Sequence, residues 1–106
     1  MRILKSIFCL ALFMLAFTFF VSADDIADIY AKKCKSCHGA NGEGNPAFAK
    51  MLKVEPGSLV LANSPKSDEE LVNLTKDGAG KMPAYQGKLS DEEINGLVQL
   101  MRNFGK

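Results

Sequence analysis

The sequence predicts an all-α fold in which a few helices are joined by loops. One face of the last segment carries apolar residues at helical spacing: Ile94, Leu97, Val98 and Met101. Two Ser-x-x-Glu capping boxes, which begin at Ser67 and Ser90, mark the starts of two helices. No segment convincingly shows the alternation of apolar and polar residues that is typical of a half-buried strand.

The first helix is predicted over Asp24–Lys33. Its first turn is acidic, which suits the positive end of the helix dipole. Ile26, Ile29 and Tyr30 then fall on one face at helical spacing. A loop follows over Gly39–Pro46, because three glycines interrupt that stretch.

The middle of the chain is predicted to hold a short helix over Ala47–Val54 and a turn at Pro56-Gly57. A longer helix begins at the first capping box and stops at Gly78. A loop extends from there to Gly87 and contains Met82, and the last helix follows from the second capping box.

The first 23 residues have the order of a secretory signal peptide. Two basic residues precede an uncharged apolar run from Ile7 to Val21, and the small residue Ala23 ends the stretch. The run has 15 residues, whereas a membrane anchor needs ~20. We therefore expect cleavage after Ala23, export to the periplasm, and a single domain over residues 24–106 with no stable membrane span.

The size and charge of the mature chain limit what it can be. Cleavage leaves 83 residues with 11 Lys or Arg and 12 Asp or Glu, a balance that gives no support to nucleic-acid binding. A chain this short buries little apolar surface and usually needs a disulfide, a metal or another staple. Only Cys34 and Cys37 are left to build one, because Cys9 lies in the signal segment.

The chemistry lies in Cys34-Lys35-Ser36-Cys37-His38, a C-x-x-C-H motif. This spacing is the signature of covalent attachment of a c-type haem. Two thiols about one helical turn apart can each add to one vinyl group of the haem. The adjacent His38 then projects toward the iron as the proximal ligand.

The same residues also suit three other kinds of site. A structural zinc site needs four Cys or His ligands, and the mature chain offers only Cys34, Cys37 and His38. A thioredoxin-like redox pair needs a strand–helix–strand context, which the sequence does not show. A disulfide fits an oxidising compartment, but it leaves His38 and Met82 without a role. The motif therefore favours one covalently bound haem c.

The sixth iron ligand must be a methionine if the site is closed, because His38 is the only histidine. Met101 belongs to the apolar stripe of the last helix, and core packing also explains Met51. Met82 differs, since it lies in a glycine-rich loop with no helical stripe to join, and Pro83 fixes the backbone just after it. Met82 is the predicted ligand, which would give a His/Met haem of raised potential.

The order of four motifs resembles that of small single-haem class I bacterial cytochromes c. The motifs are Cys34-Lys35-Ser36-Cys37-His38-Gly39, Asn41-Gly42-Glu43-Gly44, Met82-Pro83-Ala84-Tyr85 and Leu89-Ser90-Asp91-Glu92-Glu93-Ile94. The resemblance covers essentially the whole mature chain and is closest to the short type of photosynthetic and soluble bacterial carriers. It implies the class I fold, with helices and loops wrapped around one haem and the first and last helices crossing near it.

The resemblance also implies electron transfer between redox proteins rather than enzymatic turnover. By the same analogy, the carbonyl of Pro46 is expected to accept a hydrogen bond from the non-ligating nitrogen of His38. One departure concerns the crossing of the terminal helices, because Leu100 stands where many relatives have an aromatic residue.

Lysines next to the haem segments predict how partners dock. Lys32, Lys33, Lys35 and Lys81, with Lys88 farther along, would form a positive rim that steers an acidic redox partner toward the exposed haem edge of a monomer. Two alternatives stay open. The chain could be a haem-bearing module of a larger oxidoreductase complex, or an open-site haem enzyme or sensor if Met82 is not a ligand.

Overall fold

The computed structural model describes residues 21–104, which form helices and loops. The basic residues and most of the apolar run of the predicted signal segment lie outside this range. Five α-helices follow one another in the described part: α1 (Ala23–Lys33), α2 (Lys35–His38), α3 (Pro46–Leu52), α4 (Asp68–Asp77) and α5 (Asp91–Asn103). Two short 3₁₀ turns, Pro56–Leu59 and Leu61–Asn63, connect α3 to α4.

The all-α prediction is confirmed for residues 21–104, where the only β pairing consists of two isolated bridges. Both predicted capping residues begin their helices. Ser67 Oγ accepts from Glu70 N at 3.1 Å, and Ser90 Oγ accepts from Glu93 N at 3.1 Å. None of the helices in this range is long and apolar enough to cross a bilayer.

The short third helix differs from its predicted bounds of Ala47–Val54. It begins at Pro46 because Asn45 caps it, with the side-chain oxygen accepting from Ala47 N at 3.0 Å. It ends at Leu52 because Lys53 adopts a left-handed conformation with a φ of 58°.

The core consists of two clusters that share α5. In the first cluster, Ile26 and Tyr30 of α1 pack against Leu97 and Met101 of α5. The second cluster joins α4 to α5 through these residues: Leu71, Val72, Ile94 and Val98. The last helix therefore packs against both α1 and α4, as its apolar stripe predicts.

The crossing of α1 and α5 depends on a small residue that the sequence analysis did not single out. A Cβ added at Gly96 would lie 2.6 Å from Ile26 Cδ1, so glycine lets the two helices approach closely. Leu100 packs at the edge of the first cluster. The aromatic pair of this region is formed by Tyr30 and Phe104, whose ring centroids are 5.1 Å apart.

Candidate haem site

One cavity of about 270 Å³ brings together the four residues that the motifs predict. Cys34, Cys37 and His38 line it from the junction of α1 and α2, and Met82 lines it from the loop between α4 and α5. Apolar side chains of several elements also line it, among them Leu52, Leu59, Leu71, Leu74, Leu97 and Val98.

The attachment motif is shaped by local helical hydrogen bonds. Cys34 ends α1, with its N–H donating to Tyr30 O at 2.9 Å, and it also begins α2, where His38 N donates to Cys34 O at 3.0 Å. This single turn presents Cys34, Cys37 and His38 to the same cavity. Both thiols are free rather than joined in a disulfide.

Cys34 is half-buried. Burial raises the pKa of Cys34 to about 11, and the neighbouring Lys33 only partly offsets this effect. At neutral pH the group is therefore a protonated thiol, which is less nucleophilic than a thiolate.

His38 is buried, and its tautomer is fixed by a backbone carbonyl. Nδ1 lies 2.7 Å from Leu59 O. Because a carbonyl oxygen can only accept, Nδ1 must donate. In the neutral imidazole, this tautomer leaves Nε2 with a free lone pair for a metal. Such a contact also fixes the orientation of the ring.

The acceptor for His38 is not the residue expected from the resemblance. Leu59 O, at the end of the first 3₁₀ turn, takes the place expected for Pro46 O. The reason is that Pro46 is the first residue of α3, where a carbonyl joins the hydrogen-bond ladder of its own helix.

The Met82 loop is a tight turn. Met82 N donates to Ala79 O at 2.9 Å, and Ala79 N donates to Met82 O at 3.1 Å. Gly78 precedes the turn with a φ of 77°, and a Cβ there would lie 2.8 Å from Met82 O. Only glycine fits that position without strain.

The other two methionines that the sequence analysis weighed behave differently. Met51 is 64% exposed, so the expectation that it packs in the core is wrong, and it does not line the cavity either. Met101 reaches the cavity wall from α5, where it is a buried member of the first core cluster. Met82 is half-buried and reaches the cavity from a loop.

Polar residues that had no predicted role also line the cavity: Ser58, Ser64, Lys66, Thr75 and Tyr85. Tyr85 belongs to the Met82-Pro83-Ala84-Tyr85 motif, whose spacing predicts no contact for the Tyr85 side chain. Its hydroxyl donates to Lys33 O at 3.2 Å, across 52 residues of chain. Burial raises the pKa of Tyr85.

The charged side chains at the described cavity wall are all lysines: Lys33, Lys66 and Lys81. Two of them, Lys33 and Lys81, belong to the predicted rim. Lys32 instead pairs with Asp28 at 2.9 Å on the exposed face of α1, so part of its charge is compensated.

The donor set of this cavity fits a covalently attached haem. Two free thiols lie one helical turn apart, a buried imidazole has Nε2 available, a thioether lines the same apolar space, and lysines provide positive charge at its wall. By contrast, residues 21–104 contain no cluster of three His, Cys, Asp or Glu that could hold a metal ion directly. An all-α fold with such a cavity defines the class of small c-type cytochromes.

Comparison with known proteins agrees with this class. Residues 21–101 match the sequence family described as cytochrome c oxidase, cbb3-type, subunit III. The chain is 33% identical to cytochrome c6 of Gracilaria tenuistipitata var. liui, over 81% of this chain and 76% of that protein. It is 37% identical to cytochrome c-553 of Desulfomicrobium norvegicum, over 78% of this chain and 100% of the relative.

A solved structure has the same fold. The c-type cytochrome KustC0563 superposes with a TM-score of 0.61 and 27% sequence identity, covering 76% of this chain and 96% of that one. The chain belongs to the cytochrome c family and has the class I fold. It is an electron-transfer protein rather than an enzyme, which agrees with what the resemblance implies.

Proposed function

We propose that the protein is a periplasmic single-electron carrier with one haem c, attached through Cys34 and Cys37 and ligated by His38 and Met82. The observation that carries the proposal is the meeting of these four residues at one apolar cavity. The tautomer of His38 supports it, because the hydrogen bond to Leu59 O occupies Nδ1 and leaves Nε2 available to bind an iron.

The residues around the cavity have the properties that a single-electron carrier needs. When bound, the haem supplies a one-electron couple between Fe(III) and Fe(II). His38 and Met82 would both ligate the iron, and with both in place oxygen or peroxide would find no open position. The apolar wall excludes water, and the lysines favour the approach of negative charge.

Mass spectrometry of protein produced in a haem-attaching host tests the attachment. The expected product is a chain that begins at Asp24 and carries the mass of one haem. Cys34→Ala combined with Cys37→Ala should remove the covalent haem completely. Cys9→Ala is the matched control and should give the same mature holoprotein. Covalent haem in the double variant, or none in the native protein, would refute the assignment.

The start of that mature chain is a separate part of the proposal. Ser22 Oγ accepts from Asp25 N at 3.1 Å, so cleavage after Ala23 removes the cap of α1. Asp24 and Asp25 stay in its first turn, where their charge suits the helix dipole. Intact mass and cell fractionation test the site and the compartment. A chain that keeps its first residues, or stays in the cytoplasm, would contradict the proposed export.

Partner docking is proposed through the positive rim that includes Lys32, Lys33, Lys35 and Lys81. Two of these lysines line the cavity, and Lys66 extends the positive wall. An acidic redox partner should associate faster at low salt, because screening weakens long-range attraction. Transfer rates measured against ionic strength test this. A Lys81→Gln variant should reduce the salt dependence, and a rate independent of salt would exclude steering.

A second candidate function is a haem module within a larger oxidoreductase complex. The matched family favours it, since that family is described as an oxidase subunit. Gel filtration of the mature holoprotein separates the two roles. The carrier proposal expects a monomer that purifies alone. Obligate co-purification with other subunits would favour the module.

A further inference from the structure

We propose that Tyr85 is a positioning residue that ties the Met82 loop to the end of α1 and so keeps the Met82 thioether at the iron. This inference rests on the proposed ligation by Met82. It assigns a role to a hydrogen bond that neither the motifs nor the family membership explains.

The side chain of Tyr85 connects the Met82 loop to the end of α1, the two parts of the chain that carry the proposed iron ligands. Its hydroxyl donates to Lys33 O at 3.2 Å. Lys33 is the last residue of α1 and directly precedes Cys34, so the bond ends at the segment that carries the attachment motif. A carbonyl in the last turn of a helix has no partner within the helix, and Tyr85 supplies one.

The backbone of Tyr85 is fixed to a different element. Tyr85 N donates to Thr75 O at 3.0 Å, and Gln86 N donates to Lys76 O at 3.1 Å, both at the end of α4. Lys88 N donates to Tyr85 O at 3.0 Å, which closes the turn that follows. Tyr85 therefore joins α4 through its main chain and α1 through its hydroxyl.

The link from Tyr85 to Met82 is short and stiff. Only Pro83 and Ala84 separate them, and the proline ring fixes one of the intervening backbone angles. The other end of the loop is constrained by the close packing of Gly78 against Met82 O. A displacement of Tyr85 should therefore also displace Met82, because the short segment between them has little freedom to compensate.

The packing around the Tyr85 ring holds the side chain in one position. Tyr85 is half-buried, packs at the edge of the second core cluster and lines the cavity. Burial raises the pKa of its phenol, so the hydroxyl stays protonated and able to donate at neutral pH.

The chain offers a matched control in Tyr30. Its hydroxyl also donates to a backbone carbonyl, that of Gly39 at 2.5 Å, and the group is buried. That bond ties α1 to the loop after His38 and makes no contact with the Met82 loop. Removing either hydroxyl deletes one hydrogen bond to a carbonyl, and only the loss at Tyr85 should loosen Met82.

The test measures how readily imidazole displaces Met82 from the oxidised holoprotein. The Met-to-iron(III) charge-transfer band is followed as imidazole is added to the native protein, Tyr85→Phe and Tyr30→Phe. Loss of a hydrogen bond is worth about 1 kcal/mol, so Tyr85→Phe should bind imidazole about fivefold more tightly. Tyr30→Phe should keep the native affinity, although its midpoint of urea unfolding falls.

The possible results distinguish the role of Tyr85 from ligation by Met82. A native protein without the band would overturn ligation by Met82 itself. A native band with unchanged imidazole affinity in Tyr85→Phe would overturn only the role of Tyr85. Equal increases in affinity in both variants would also overturn it, because they would reflect a general loss of stability.

Discussion

The two walls of the cavity hold their functional residues by different means. The attachment wall, Cys34 to His38, is shaped by hydrogen bonds between residues four apart in the chain. The Met82 loop has its own two-bond turn, but it is anchored by contacts with α4 and α1 from distant parts of the sequence. Local helical geometry therefore sets the backbone of the first wall, where only the His38 ring depends on a distant partner, Leu59 O. Tertiary packing sets the position of the whole second wall.

The two walls also differ in how readily their structure can be lost. A helical turn stays intact as long as its hydrogen bonds do, and covalent attachment would hold it in place. A loop can shift while the rest of the fold persists, since its local free energy of opening is lower than that of global unfolding. Variants of the two regions should therefore separate loss of Met82 ligation from loss of haem attachment.

The largest expected effect is that of Gly78→Ala on the Met82 wall. The methyl group would lie 2.8 Å from Met82 O and 3.0 Å from Ala84 N, at a φ of 77°. Backbone strain of this kind should lower the free energy of unfolding by about 3 kcal/mol and weaken the Met-to-iron(III) band. Urea unfolding and the visible spectrum measure the two effects.

Gly57→Ala is the control for that substitution. No atom lies within 4 Å of a Cβ at Gly57, so its stability should change by less than about 0.5 kcal/mol. Equal stability of the two variants would mean that the Gly78 turn accommodates a methyl group without strain. The Met82 loop would then not be held by tight packing, as the comparison of the two walls requires.

Arg102→Gln should have the next largest effect, on the segment that orients His38. Arg102 Nε donates to Asp68 Oδ1 at 2.9 Å and Nη1 donates to Ser64 O at 2.9 Å, while Nη2 donates to Lys66 O. These bonds hold the stretch that follows Leu59 against α5. Their loss should lower the free energy of unfolding by about 2 kcal/mol, measured by urea titration.

Lys32→Gln provides the comparison for Arg102. Its ion pair with Asp28 is exposed, with 69% and 64% of the two side chains accessible, so its loss should cost less than about 0.5 kcal/mol. A similar small loss for Arg102→Gln would show that apolar packing alone holds the segment near Leu59.

The last predicted effect, which is absent at neutral pH, is a pH dependence at Tyr30, behind the attachment wall. Burial raises the pKa of Tyr30 from 10.0 to about 12. Because the folded protein binds this proton more tightly, the stabilisation is complete below pH 10 and is lost as the pH rises through 12. Stability should therefore fall over that window, and fall less in Tyr30→Phe. If the free energy of unfolding depended on pH in the same way in the native protein and in Tyr30→Phe, Tyr30 would not be the source of the pH dependence.

The sequence predicts features that depend on neighbouring residues. The capping serines Ser67 and Ser90, the apolar stripe of α5 and the C-x-x-C-H turn all have local signatures, and the structure confirms each of them. The bounds of α3 were only approximate, because the cap at Asn45 was not recognised.

Contacts between distant residues were not predicted. Leu59 O replaces Pro46 O as the acceptor from His38, 21 residues along the chain. Tyr85 meets Lys33 across 52 residues, and Gly96 accommodates Ile26 at the helix crossing. Such contacts leave no periodic signal in the sequence, because they depend on how the elements pack. The glycines predict the loop that contains Met82, but the contacts that position this loop against α1 and α4 belong to the same group.

The central claim is that one wall supplies His38 and the other supplies Met82 to the same iron. The most direct measurement is the Met-to-iron(III) charge-transfer band of the oxidised holoprotein in three variants: Met82→Ala, Met51→Ala and Met101→Ala. The band should be present in the native protein, vanish in Met82→Ala and persist in the other two. A band that survives in Met82→Ala, or that is absent from the native protein, would contradict the account.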